Sequence, residues 1–109
     1  AYHALSRQHI KERIAQNNLN DSAQLLALQI QKAWQDFQDA HQQVLLSEDA
    51  KAQAEENLKV NQDSFDNGLT DLSDLLEAQA ILQQTHDQLA DALTSYRIKR
   101  SVYLQVTGR

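Results

Sequence analysis

Leu19, Ala23, Leu26, Ile30, Ala33, Phe37, Ala40 and Val44 are separated alternately by four and three residues. That is a repeat of about 3.5 residues, which keeps one apolar seam turned toward a partner helix instead of letting it drift around the axis. The seam continues through Ser47, Lys51, Ala54, Leu58, Asn61 and Phe65, with Lys51 its plainest misfit. A second seam, Leu75, Ala78, Leu82, Thr85, Leu89, Ala92 and Tyr96, alternates three and four in the same way. Small residues interleave with large ones along both seams. Two backbones can therefore approach closely while Leu, Phe and Tyr fill the facing holes.

Neither Gly nor Pro occurs before Gly68. A helix over about residues 3–66 thus meets no backbone stop, and at about 1.5 Å per residue it spans roughly 100 Å. Its weakest stretch is 17–22, Asn-Asn-Leu-Asn-Asp-Ser, where short polar side chains compete for backbone hydrogen bonds and a break or kink would fall. Turn formers gather at 66–71: Gly68 suits the left-handed position after a helix, and Thr70 or Asp71 can cap the next one. A second helix then covers about 72–106, with Asp71 and Asp74 at its positive end. The expected fold is all-α, a long antiparallel coiled-coil helical hairpin with unequal arms, forming a single segment over 1–109.

Ten apolar residues lie off these seams: Leu25, Leu28, Trp34, Leu45, Leu46, Val60, Leu76, Ile81, Leu93 and Tyr103. Each arm of a hairpin offers the other only one face, so two helices cannot bury them. Further helices must pack here, whether by folding back at 17–22, by self-association or from the rest of a larger protein. The chain begins Ala-Tyr-His, without Met, and reads as a piece of something longer.

Composition supports the helical reading. Ala, Gln and Leu supply 46 of 109 residues, all good helix formers, against two Gly and no Pro. Without Cys there is no disulfide and no thiolate metal site. No apolar run approaches the roughly 18 residues of a membrane span. A net charge of -5 argues against a nucleic-acid partner, which needs a basic stripe to neutralise phosphates.

Candidate chemistry is sparse. His3, His9, His41 and His86 stand in no Glu-x-x-His or His-x-x-x-His relation, the spacings that helical metal sites use, so no metal or cofactor is expected. No nucleophile constellation or phosphate-cradling loop is present, and the chain does not read as an enzyme. Charge is more informative. Residues 48–77 carry nine acids against Lys51 and Lys59, a net of -7, whereas the remainder is net +2. Asp71, Asp74 and Glu77 follow one another at three-residue intervals along one side of the second helix's start. On a lone hairpin they are solvated caps. Repeated around an axis they form a ring that attracts cations.

The string Phe65-x-x-Gly68-x-Thr70-x-Leu72-x-Asp74-Leu75-Leu76-x-Ala78-Gln79, followed by Leu82, Leu89, Tyr96 and Gly108, resembles the C-terminal repeat of the TolC-like outer-membrane efflux protein family. The Ala- and Gln-rich helix before it, including Ala33-Trp34, resembles that family's descending helix. The resemblance implies a homotrimer in the full-length protein, whose outer-membrane barrel continues into an α-helical barrel across the periplasm. This segment would lie in the periplasm and touch the membrane only through parts absent from the chain. Phe65, Gly68, Thr70, Asp71, Asp74 and Glu77 would then form the channel entrance, with Asp74 and Glu77 at positions matching acids that face the constriction.

Two departures stand out: Phe65 replaces the commoner Tyr, and Thr70 sits where some members carry a base. A gate held by a Tyr or Arg polar network is therefore not carried over. The implied function is export of small molecules, with an inner-membrane pump and a periplasmic adaptor protein as partners. The alternative is a soluble coiled-coil or three-helix protein-interaction module.

Overall fold

The structure is a computed structural model that describes the backbone of residues 2–108 and the side chains of residues 5–108. Two helices account for nearly all of it, α1 over Tyr2–Asp66 and α2 over Leu72–Val106. They pack antiparallel as an extended hairpin whose principal dimensions are 99 × 23 × 13 Å. Its radius of gyration is 27.2 Å. A compact domain of this length would have about 13 Å.

Helix α1 passes through 17–22 without interruption, so the break considered there is absent. The short polar side chains of that stretch lie exposed, and no acceptor or donor there draws the backbone out of its helical ladder. A chain folded back at this point into three helices is therefore not what forms.

Among the described residues every buried one lies on one of the two expected seams: Ala33, Ala40, Val44, Ser47 and Ala54 on α1, and Leu75, Ala78, Thr85 and Ala92 on α2. Most are small. They let the helices approach, while Phe37, Leu58, Leu82, Leu89 and Tyr96 fill the flanks at intermediate burial. The Thr85 hydroxyl donates back to the Leu82 carbonyl at 2.7 Å, so its burial leaves no polar atom unpaired. Lys51, the misfit of the seam, is half-buried and lies 3.8 Å from Glu55 one turn along the same helix. A lysine there can lay its aliphatic stem along the apolar seam while its ammonium stays in water.

Pairing begins only at Ile30. The seam residues Leu19, Ala23 and Leu26 keep their periodicity but are exposed, because α2 has 35 residues and α1 has 65. About 30 residues of α1, roughly 45 Å, project beyond the end of α2. Of the ten off-seam apolar residues, eight are exposed; Leu93 is half-buried. Tyr103, expected off the seam, lies on it: Tyr96, Lys99, Tyr103 and Val106 continue the three-and-four spacing, all at intermediate burial. The accessible surface of 8648 Å² compares with about 6,100 Å² for a compact monomer of 12.4 kDa.

Candidate functional site at the hairpin turn

The turn is built from the end of one helix and the start of the next. Gly68 has φ 71°, the left-handed conformation expected of it. Its N–H donates to the Phe65 carbonyl at 3.0 Å, and the Leu69 N–H to the Ser64 carbonyl at 2.8 Å. These two bonds form a Schellman motif and satisfy carbonyls that the last turn of α1 would otherwise leave open. The hydrophobic contact that often accompanies this motif is missing: Leu69 is 80 % exposed.

On the other side, Asp71 is extended, with φ -93° and ψ 170°, and caps α2 by accepting the Asp74 N–H at 3.0 Å. The Thr70 hydroxyl donates to the Asp74 carboxylate at 2.6 Å. Of the two candidates for the cap it is therefore Asp71 that serves, while Thr70 braces the side chain of Asp74. Asp74 lies in the first turn of α2, where the helix dipole favours its charge.

The structure brings Phe65, Gly68, Thr70, Asp71 and Asp74 together within this one turn, with Glu77 one helical turn further on. Phe65 is half-buried against the seam, and Thr70 is half-exposed. Asp71, Asp74 and Glu77 are all exposed. Asp71 and Asp74 hold local hydrogen bonds. The three acids do not form an equivalent row: Asp71 precedes the helix and turns its carboxylate onto the backbone. Among the described residues no group of three His, Asp or Glu side chains is placed to hold a metal ion. His9, His41 and His86 are exposed and apart, and the His3 side chain lies outside the described residues.

A feature at the opposite end was missed as a unit. Trp34, Phe37, His41, Tyr96 and Tyr103 cluster where α2 finishes: the Trp34 and Tyr103 ring centroids are 5.2 Å apart, Phe37 and Tyr96 5.3 Å, and His41 and Tyr96 5.8 Å. Rings at these separations add aromatic contact to area burial and clamp the end of the shorter helix onto the longer. The signal was present in the spacing from Tyr96 to Tyr103. Compared with known protein families, with curated proteins and with solved structures, the chain matches none.

Proposed function

We propose that this chain is a periplasmic tunnel segment of a trimeric outer-membrane channel that exports small molecules, working with an inner-membrane pump and a periplasmic adaptor. The observation that carries the reading is a hairpin with apolar surface left bare on two sides. Ile14, Leu25, Leu28, Leu46 and Val60 fall at heptad positions away from the seam, and all are exposed. The seam residues Leu19 and Leu26 of the overhang are bare as well. A helix in the wall of an α-helical barrel has a neighbour on each side, which covers two apolar faces where a free hairpin covers one. The overhang needs a further helix in line with α2.

The turn sequence from Phe65 to Gln79 supplies the second support, since its resemblance to the efflux family coincides with the observed turn and caps. On this reading Asp74 and Glu77 line the entrance, and the net -7 end of the hairpin is the periplasmic tip. The interaction-module alternative loses its three-helix form, because α1 has no second turn.

The test is the reading frame that encodes the chain, followed by fractionation of its full-length product. A secretion signal, a second copy of the hairpin pattern and alternating strand segments in that frame, with the product in the outer membrane, are the expected result. A frame without a second hairpin and strands overturns the reading.

A further inference from the structure

Six asparagines occupy α1 or its end, and five of them, Asn17, Asn18, Asn20, Asn57 and Asn61, lie within the helix and precede Asn, Leu, Asp, Leu and Gln. Asn67 is different. It follows the last helical residue, it is exposed, and its successor is Gly68. We propose that Asn67–Gly68 is the spontaneous deamidation site of this chain and that the hydrogen bonds of the turn hold the reaction back in the folded hairpin.

The chemistry needs a backbone nitrogen that can reach the preceding side-chain carbonyl carbon, and glycine opposes that approach least because it has no Cβ. Asn67 and Gly68 are both exposed, and nothing lies within 4 Å of where a Cβ of Gly68 would stand, so the turn is open to solvent. The Gly68 amide gives its proton to a solvent base, and its nitrogen attacks Cγ of Asn67. An N–Cγ bond forms, the Cγ–Nδ2 bond breaks, and Nδ2 leaves as ammonia after taking a proton from water. Water then opens the resulting five-membered imide at one carbonyl or the other, leaving aspartate or isoaspartate. The net change is amide plus water to carboxylate plus ammonium, with no oxidant or reductant.

Three hydrogen bonds oppose it. The attacking nitrogen is engaged, since the Gly68 N–H donates to the Phe65 carbonyl at 3.0 Å. The leaving group is engaged too, since Asn67 Nδ2 donates to the Asp63 carbonyl at 2.9 Å. That same carbonyl accepts the Asn67 N–H at 3.1 Å, which keeps the residue in the last turn of α1. Reaction therefore requires the turn to open locally. Once it has occurred the turn cannot re-form unchanged. Isoaspartate inserts a methylene into the backbone between the N–H groups that close the helix, and either product adds a carboxylate to an end already at net -7.

The inference does not depend on the proposed channel. The test incubates the chain at mildly alkaline pH, in native buffer and in urea, and follows every Asn-containing peptide by mass spectrometry, with isoaspartate detected by enzymatic methylation. In urea the peptide holding Asn67 should convert first. In native buffer it should convert severalfold more slowly. Gly68→Ala should slow the reaction in urea, where the strain of the turn plays no part, and Asn67→Gln should remove the product while the hairpin keeps its helicity. Another asparagine reacting first in urea, or equal rates in the two conditions, overturns the proposal.

Discussion

The Thr70 hydroxyl donates to the Asp74 carboxylate at 2.6 Å, while the Asp74 backbone N–H is held by the carboxylate of Asp71 at 3.0 Å. Asp74 is thus tied at both ends, its side chain to the residue before the cap and its backbone to the cap itself. The arrangement is a variant of the capping box in which the third helical residue reaches back to a hydroxyl and not to a backbone N–H. It ties the residue before the cap and the cap itself to the first turn of α2.

Replacing Asp71 with Ala should destabilise the hairpin by about 1 kcal/mol, the usual cost of losing an N-cap oxygen. Thermal unfolding followed by circular dichroism reads this directly. Asp71→Asn, which keeps an acceptor oxygen, should lose much less, and an equal loss in both variants would assign the effect to charge and not to the cap.

Gly68→Val should cost about 1 kcal/mol or more. With open space at the Cβ position, the cost comes from the positive φ alone. Gly68→Asn should cost less, because Asn tolerates the left-handed region better than a β-branched residue. Unchanged stability of the valine variant in a denaturant titration would contradict this account of the turn.

Ala78 is the most buried of the described residues, 2 % exposed. Ala78→Leu should push the helices apart locally and destabilise by roughly 1–3 kcal/mol, as overpacking does. Leu76→Ala, two positions before it and more than half exposed, should change stability by less than about 0.5 kcal/mol. Chemical denaturation of the two variants separates the seam from the outer face.

The isolated chain should associate in solution. Its bare apolar residues have no cover, and the unbroken α1 removes folding back at 17–22 as a remedy. Deleting residues 1–29 should reduce association while leaving the melting of the paired region nearly unchanged. Analytical ultracentrifugation checks both statements, and a strictly monomeric full chain would contradict them.

If the proposed channel reading holds, Asp74 and Glu77 repeated by three-fold symmetry would place six carboxylates around the entrance if both face inward. A trivalent cation should then block conduction, since carboxylate oxygens are hard ligands. Changing the two to Asn and Gln should weaken that block. Single-channel conductance of the full-length protein in a planar bilayer is the measurement. Equal block in both forms would leave the two acids as solvated caps, the role that Asp74's hydrogen bonds already give it locally.

Both helices, the turn between them and the seam residues were legible in the sequence, because each depends on information within a few residues. The alternation of three and four specifies which side of each helix is apolar, and Gly68 marks where the first one stops. The span from Ala1 to Asn67 carries no breaker, so α1 could extend whatever lay beside it. What the tertiary structure decided is which part of a seam has a partner. Leu19 and Leu26 obey the same period as Ala33 and Ala40, yet the first pair is exposed and the second buried, because α2 ends opposite Ile30. It also decided that Tyr103 joins Trp34 and Phe37, and that Asp71 and Asp74 spend hydrogen-bonding capacity on the turn. Periodicity is a property of one helix, whereas burial depends on the length and register of another, and no local pattern carries that.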